Sequence, residues 1–294
     1  MADAYSTPSL GWMPDLPSIK DYDTTSAVIK PELAKLKVSG SKAAVARLAA
    51  TTNLRPWCSP IENQGSLGSC TAHAGVGMME YFQRRAYGKH IDGSRLFLYK
   101  TTRNLLKWTG DTGAYLRTTL QSLALFGVPP EDYWPYVVGD FDKEPNAFLY
   151  SFAANYQAMK YYRLDPSGTT KAALLTAIKT NLAAGLPSIF GFTVYNSYTQ
   201  ASAANKGAIP FPIATDKVVG GHAVMAVGYD DSIKIKNTGS ATGTTGAILI
   251  RNSWGTGWGD AGYGWLPYDY VLKGQAVDWW SMIQAEWVDT GQFG

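Results

Sequence analysis

The sequence predicts an α+β protein of two lobes, the first helical and the second an antiparallel, β-barrel-like sheet. Two observations support this fold class. Up to about residue 149, apolar side chains recur at helical spacing. From about residue 150, the apolar stretches are short, rich in β-branched and aromatic residues, and bounded by glycine, as strands of a mostly antiparallel barrel would be. A cleft is expected where two lobes of opposite class meet.

The composition is that of a globular protein with a full core. Of its 294 residues 46% are hydrophobic and 17% are charged, and the chain is long enough for one large domain or two lobes. A net charge of +3 is too small to predict a nucleic acid or an anionic membrane as partner. No apolar run approaches the length of a membrane span, and the first residues lack the basic and apolar regions of a secretory signal. We therefore expect no nucleic-acid and no membrane partner.

Residues 1–52 are predicted to form an N-terminal arm that precedes a catalytic domain of residues 53–294. The stretch from Pro8 to Tyr22 is rich in Pro and Asp and shows neither helical nor strand periodicity. It is interpreted as an extended arm held by apolar anchors, namely Trp12, Met13, Leu16 and Ile19.

Helical spacing predicts the elements of the arm and of the first lobe. In the arm, short helices are expected over Lys30–Leu36 and Lys42–Ala50. The first lobe, about residues 53–149, should hold three helices, Cys70 to about Arg85, Ser94–Leu106 and Gly113–Phe126. Gly88 is expected to stop the first of these and Gly127 the third.

The second lobe, about residues 150–294, alternates as strands would. A strand is expected within residues 159–166 and an amphipathic helix over Thr170–Ala184. Four further strands are predicted at residues 188–198, 221–231, 246–254 and 262–271. The stretch Ser232–Gly246 should form a hairpin with a polar tip.

One stretch, NQGSLGSCTAHA from Asn63 to Ala74, carries a candidate nucleophile. Cys70 opens the first predicted helix of the lobe, where the positive end of the helix dipole favours a thiolate. The glycines before it let the loop turn back, so the side-chain amide of Gln64 can lie beside the thiol. With the free backbone N–H of Cys70, that amide would bind a developing oxyanion.

These residues resemble the active-site segment of papain-like cysteine peptidases, whose pattern places glutamine six residues before the nucleophile. Two further stretches carry the resemblance. GGHAVMAVGYDD places His222 at the start of an apolar strand, and LIRNSWGTGWGDAGYGW places Asn252 just after another. Three such motifs in the right order make the resemblance specific.

The resemblance implies a fold, a reaction and four catalytic residues. The fold is a helical left lobe and a β right lobe with the active site between them. The reaction is hydrolysis of peptide bonds through a thioester acyl-enzyme, on a protein or peptide substrate. Cys70 would be the nucleophile, His222 the acid and base, Asn252 the group that orients the imidazole, and Gln64 an oxyanion donor. No cofactor is implied, and a monomer is expected.

The resemblance also implies a set of substrate-binding residues. They lie in a glycine-rich wall, in the pocket for the second residue before the cut, and around the catalytic imidazole. The candidates are Gly113, Ala114, Tyr115, Leu116, Gly220, Gly221, Trp254 and Trp258. Ala114 stands where the family usually has a second glycine, and a small side chain there should still allow close approach of a substrate backbone.

The other histidine and cysteine residues are given structural roles. His73, one turn beyond Cys70, is interpreted as a core residue and His90 as a surface residue. No histidine has the spacing to Cys, Asp or Glu that a metal site requires, so none is predicted. With Cys70 as nucleophile, Cys58 lacks an intramolecular partner. A fold without disulfides fits a reducing compartment and favours the cytoplasm, although export by a non-classical route stays open.

Alternatives remain for the arm and for the activity. The arm is either a short, atypical prosegment that covers the cleft or a strap that wraps the domain, and the hypothesis favoured here is that it covers part of the cleft. Thr71, where the family usually has tryptophan, bears on packing rather than on the reaction. Two other activities are kept: a transglutaminase-like acyl transfer on the same scaffold, and a catalytically silent protein that binds a peptide or another ligand.

Overall fold

The computed structural model describes residues 9–38, 48–156 and 160–293. The helix predicted over Lys42–Ala50 lies for the most part outside these residues. Among the described residues, no helix is both long and apolar enough to cross a bilayer.

The three helices predicted in the first lobe form close to their predicted bounds, and a fourth helix, which was not predicted, follows them. The arm contains α1 (Lys30–Lys35), and the lobe contains α2 (Cys70–Tyr87), α3 (Arg95–Leu106), α4 (Leu116–Phe126) and α5 (Ala147–Ala153). Gly88 ends α2 in the left-handed conformation, with φ of 71°, as its position after the last apolar residue predicts. The hydroxyl of Ser94 caps α3 by accepting from the backbone N–H of Phe97.

Helix α4 begins later than the predicted residue, Gly113. Gly113 has φ of 74°, which a helix does not allow, and the backbone N–H of Ala114 donates to the carbonyl of Gly11 in the arm. These residues therefore stay extended and pair with the arm, and the helix starts at Leu116.

The second lobe is an open antiparallel sheet with short helices. Its strands, with β1 contributed by the end of the arm, are β1 (Thr51–Asn53), β2 (Lys160–Arg163), β3 (Ser188–Tyr195), β4 (Val218–Ile235), β5 (Thr244–Arg251), β6 (Tyr263–Pro267) and β7 (Ala276–Ile283). They follow the order β2-β7-β3-β4-β5-β6 within the described residues, and β1 pairs with β4. The predicted antiparallel lobe is confirmed as an open sheet and not as a closed barrel, because among the described residues the edge strands β2 and β6 do not pair with each other.

Most predicted elements of the sheet are confirmed, with two differences. The predicted helix is α6 (Lys171–Ala183), and the hairpin closes where Ile235 faces Thr244. The last predicted strand stops at Pro267, which caps α7 (Tyr268–Leu272). Strand β7 was not predicted. It is followed by α8 (Ala285–Val288).

The described part of the arm has two portions with different surroundings. From residue 22 to residue 38 it is a strap that belongs to the body, because Ile29, Leu33 and Leu36 are buried in the main core. From residue 9 to residue 21 it is a cleft segment, and Trp12 is its buried anchor at 6% exposure. The prediction that Leu16 and Ile19 are anchors is wrong: they are 83% and 103% exposed, and this stretch is held instead through the Leu16 carbonyl, which accepts from Arg117.

Candidate active site

Cys70 is the first residue of α2 and is fully buried. The loop before it is held by Asp111, whose carboxylate accepts from the backbone N–H of Gly68 at 2.9 and 3.2 Å. The thiol of Cys70 accepts from the backbone N–H of Ala223 at 3.4 Å. Because Ala223 follows His222 on β4, the fold brings the cysteine at the helix start against the strand that carries the histidine.

His222 on β4 and Asn252, the residue that follows β5, form a hydrogen-bonded pair. Nε2 of His222 lies 2.7 Å from Oδ1 of Asn252. Oδ1 also accepts from the backbone N–H of Ser253 at 2.9 Å, which fixes the orientation of the amide. An oxygen only accepts, so Nε2 carries the proton and Nδ1 is the basic nitrogen of the neutral ring. Nδ1 is buried and has no partner among the described residues.

Two tryptophans cover this pair. The Trp254 ring stacks on the His222 ring with centroids 4.6 Å apart and planes 24° apart. Trp258 meets Trp254 edge to face at 5.3 Å. The imidazole is fully buried, and these rings help to keep water from its bond to Asn252.

The side chain of Gln64 is oriented by three hydrogen bonds. Its Nε2 donates to the carbonyls of Leu67 at 2.8 Å and Ser9 at 2.9 Å, and its Oε1 accepts from the Ser253 hydroxyl at 2.6 Å. Two carbonyl acceptors identify the nitrogen without ambiguity. One of these acceptors belongs to the arm, so the amide that could bind an oxyanion is taken by the Ser9 carbonyl.

The cleft segment pairs with backbone from both lobes. Ala114 accepts from Met13 at 3.2 Å and donates to Gly11 at 2.8 Å, while Trp12 donates to the carbonyl of Gly221 at 3.1 Å. The pairing of Trp12 with Ala114 is parallel. Backbone hydrogen bonds thereby join the arm to the helical lobe on one side and to β4 on the other.

Glycines allow the closest approach of the arm. A Cβ on Gly11 would lie 1.9 Å from the carbonyl oxygen of Gly68, and a Cβ on Gly113 would lie 2.1 Å from the carbonyl oxygen of Gly11. Both distances are far below van der Waals contact. Any larger residue at position 11 must therefore move the arm away from the loop before Cys70, which contains Gly68.

Burial changes the pKa values of Cys70 and His222. The position of Cys70 at a helix start predicts a lowered thiol pKa. Burial instead raises the pKa of Cys70 to about 11, opposed by backbone hydrogen bonds that include one from Gly11. Burial also lowers the pKa of His222 to about 4, opposed by the bond to Asn252. The docked chain thus holds a neutral thiol beside a neutral imidazole.

Opening the cleft should therefore lower the pKa of the Cys70 thiol. Because burial raises this pKa on docking, docking favours the neutral thiol and is weakened as the pH rises toward about 11. We expect the pH midpoint of Cys70 alkylation to fall by at least one unit when the arm is displaced, as solvent then stabilises the thiolate. The measurement uses a Cys58→Ala background, so that a single thiol reports. An unchanged midpoint would show that the arm does not desolvate the thiol.

The remaining predicted binding residues fall into two groups. Gly221 and Gly220 meet the arm directly, since a Cβ on Gly220 would lie 2.7 Å from Leu10. Leu116 is fully buried in the core, and the ring of Tyr115 packs against Trp108 at 5.5 Å.

His73 and Cys58, to which the sequence assigns structural roles, are both buried. Nδ1 of His73 lies 3.1 Å from the Ser69 carbonyl, and burial lowers its pKa to about 3. Cys58 is a buried free thiol, and burial raises its pKa. The described residues contain no group of three or more His, Cys, Asp or Glu side chains placed to hold a metal ion.

Three contacts in the site escaped sequence reasoning. Ser253 orients Gln64, the hydroxyl of Tyr136 donates to the Gln64 carbonyl at 2.9 Å, and Ser9 accepts from the Gln64 amide. Ser253 follows Asn252 in the NSW stretch, so its neighbourhood was a usable signal. Tyr136 and Ser9 carry no such signal, because each reaches the site from a segment without a motif.

Comparison with known proteins points to one family. Residues 49–273 match the papain family of cysteine proteases. An uncharacterised peptidase C1-like protein of Acanthamoeba polyphaga mimivirus is 32% identical over 74% of this chain and 68% of its own length. Cathepsin K of Gallus gallus is 29% identical over 70% of this chain, and the match covers 54% of the length of cathepsin K.

Solved structures agree with this assignment. Xylellain, a cysteine protease from Xylella fastidiosa, is similar with a TM-score of 0.75 and 30% identity, over 96% of this chain and 99% of that one. Digestive procathepsin L 3 of Tenebrio molitor shares the fold at 20% identity, with a TM-score of 0.59 over 86% of this chain and 79% of that one. With a family match over most of its length and the same α+β architecture, the chain belongs to the papain family of cysteine proteases.

Proposed function

We propose that the chain is a cysteine endopeptidase whose N-terminal arm closes its own active site. The observation that carries the catalytic part is the arrangement of His222. Its Nε2 is hydrogen-bonded to Asn252, and its Nδ1 has no partner among the described residues. It lies on the strand that contacts the Cys70 thiol. A base held by a third group beside a nucleophile is the arrangement that acyl transfer needs.

The proposed reaction uses each group in turn. Nδ1 of His222 takes the thiol proton, and Sγ of Cys70 forms a bond to the scissile carbonyl carbon while Gln64 and the Cys70 N–H bind the oxygen. The imidazolium returns this proton to the leaving amine as the C–N bond breaks, which leaves a thioester. Water then loses a proton to His222 and attacks the thioester, and the S–C bond breaks to release the acid and restore the thiol.

Three contacts support the proposal that the arm inhibits. The Ser9 carbonyl occupies the Gln64 amide, the Gly11 backbone lies near enough to the thiol to oppose the rise of its pKa, and Gly11 and Met13 occupy the backbone of Ala114. A substrate would need the same donors and acceptors, so the docked arm and a substrate exclude each other.

The direction of the arm explains how it can occupy the cleft as an inhibitor. In a substrate, the residue in the predicted second pocket precedes the scissile carbonyl. In the arm, Trp12 contacts Gly221 of that pocket, and the Ser9 carbonyl meets Gln64, where the scissile carbonyl is expected. Trp12 comes after Ser9 in the chain. The arm thus runs opposite to the expected substrate. We therefore expect the full-length chain to keep its arm intact.

Arg117 clamps the segment where the arm leaves the cleft. Its guanidinium donates to both oxygens of Asp21, at 2.8 and 2.9 Å, and also to Asp15 and to the Leu16 carbonyl. Asp21 is nearly buried, with 6% of its side chain exposed, so removing Arg117 would leave its carboxylate poorly paired.

An Arg117→Gln substitution should loosen the arm without touching the cleft. Losing charge-assisted bonds of about 1.5–3 kcal/mol each would raise the population of open chains, and we expect alkylation of Cys70 to speed up by at least about tenfold. Lys143→Gln is the matched control, because Lys143 pairs on the surface with Asp140, 2.8 Å away, and not with the arm. Equal alkylation rates in the two variants would remove Arg117 from the inhibitory contact.

The proposed function is tested by deleting residues 1–16. This deletion removes the cleft segment up to Leu16 and keeps the strap, whose Ile29, Leu33 and Leu36 belong to the core. We expect hydrolysis of a protein substrate by the truncated chain, little by the full-length chain, and none by the truncated Cys70→Ala variant. Absence of hydrolysis by a folded truncated chain would overturn the proposal. Products that retain an added primary amine would indicate acyl transfer instead.

A further inference from the structure

The indole of Trp12 lies in a pocket of the second lobe that ends in a buried carboxylate. Nε1 of Trp12 donates to Oδ2 of Asp278 at 3.2 Å, and Asp278 is fully buried. We infer that this pocket, freed of Trp12, receives a substrate side chain and selects tryptophan, with Asp278 as the residue that sets the preference. The inference rests on the proposed function and names the side chain that its cleft prefers.

The walls of the pocket fit a flat ring. A Cβ on Gly191 would lie 1.8 Å from Cε2 of Trp12, and a Cβ on Gly221 would lie 2.8 Å from its Cε3. The ring therefore occupies space that any other residue at these positions would fill. Trp12 is 6% exposed there, so the pocket takes in almost the whole side chain.

The two oxygens of Asp278 have different partners. Oδ1 accepts from Nε1 of Trp280 at 2.7 Å and forms an ion pair with Nη1 of Arg163 at 3.2 Å, and both partners belong to the body. Among the described residues, the donor to Oδ2 comes from the arm. When the arm leaves, Oδ2 becomes a buried acceptor that needs an N–H group from whatever enters the pocket.

The backbone aims Asp278 into this position. The pairing of β3 with β7 shifts register between Ile189 and Gly191, where these residues face Trp280 and Val277. The extra residue on β7 makes a bulge, and bulges redirect side chains. Asp278 itself has φ of 62°, a left-handed conformation that Asp and Asn tolerate better than most residues.

The surroundings favour a neutral donor over a cation. Arg163 lies against Asp278 and also pairs with Asp165 at 2.9 Å, so the carboxylate is already offset by a fixed positive charge. An incoming lysine or arginine would meet that guanidinium. An aromatic ring with one N–H satisfies both the glycine walls and Oδ2.

The test compares two peptides that differ only in that N–H. The protein is the full-length chain with Gly11→Leu, Trp12→Ala and Cys70→Ala, in which the arm is displaced, the pocket empty and hydrolysis blocked. Calorimetry measures binding of short peptides that carry tryptophan, 3-benzothienylalanine, phenylalanine or arginine at one position. Benzothienylalanine keeps the ring and replaces N–H by sulfur. We expect the tryptophan peptide to bind about tenfold more tightly than the benzothienylalanine peptide, because only tryptophan donates a hydrogen bond to the Asp278 carboxylate.

Asp278→Asn in the same chain should reduce that preference to less than about twofold. The asparagine oxygen would stay with Trp280, and its NH₂ group would face the pocket, where it cannot accept. Equal binding of the two peptides by the Asp278 chain would overturn the inference, as would tighter binding of arginine or a preference that survives Asp278→Asn. If the Asn variant does not fold, the peptide comparison alone decides.

The two proposals can fail separately. Binding in the Cys70→Ala chain does not require hydrolysis, so a tryptophan preference without cleavage by the Cys70 chain would overturn the peptidase proposal alone. Cleavage of both peptides at the same kcat/KM, together with equal binding, would overturn the role of Asp278 alone.

Discussion

Replacing Gly11 with leucine is expected to open the cleft of the full-length chain. The new Cβ would lie 1.9 Å from the Gly68 carbonyl oxygen, in a contact formed by backbone on both sides. Overpacking costs about 1–3 kcal/mol even where side chains can adjust, and backbone adjusts less. The docked state should lose at least that much, so alkylation of Cys70 should speed up by about 5- to 150-fold or more.

A glycine elsewhere in the chain provides the control. A Cβ on Gly139 would meet nothing within 4 Å, so Gly139→Leu adds the same side chain without a clash. Its alkylation rate should match that of the unmodified protein. If Gly11→Leu also left the rate unchanged, while the chain stayed folded, the arm would not be what buries Cys70.

Removing the imidazole of His222 should have the largest effect on activity. We expect His222→Ala, in the Gly11→Leu chain, to lower kcat/KM for a peptide substrate by about 10⁴-fold, because one group serves as base and acid in both halves of the reaction. Asn252→Ala should lower it less, since the ring would keep its place under Trp254 but lose the bond that fixes its tautomer.

Two other histidines serve as comparisons for that result. His90→Ala should leave the activity unchanged, because His90 was assigned to the surface. His73 lies one turn beyond Cys70, but its Nδ1 is engaged with the Ser69 carbonyl at 3.1 Å. If a folded His222→Ala variant kept more than a tenth of the activity, while His73→Ala lost it, the assignment of the base would be wrong.

Local patterns made most of the helices predictable. The start of α3 and the end of α2 follow from the capping hydroxyl of Ser94 and the left-handed Gly88, which act within one turn. The motifs around Cys70 and Asn252 were equally visible, because each is a contiguous stretch. The contact between the Cys70 thiol and the strand of His222 could be expected only from the resemblance to a family.

The path of the arm and the end of the pocket could not be predicted. Trp12 was recognised as an anchor, but Leu16 and Ile19 were placed with it because all three are apolar, and only the fold decides which one finds a pocket. Asp278 lies in a strand that escaped prediction, because nearly all residues of β7 are buried and its sequence therefore does not alternate between polar and apolar. Whether the two edge strands of a sheet pair with each other is likewise a long-range property, so the sequence did not reveal that the antiparallel lobe is open.

The most direct test of the central claim is labelling by an irreversible epoxide inhibitor of papain-like enzymes, followed by intact mass. It compares the full-length chain, the chain without residues 1–16, and the truncated Cys70→Ala variant. The account predicts one rapid addition to the truncated chain, slow addition to the full-length chain, and none to the Cys70→Ala variant. Equal rapid labelling of the first two would contradict inhibition by the arm. A folded truncated chain that is not labelled would contradict the peptidase itself.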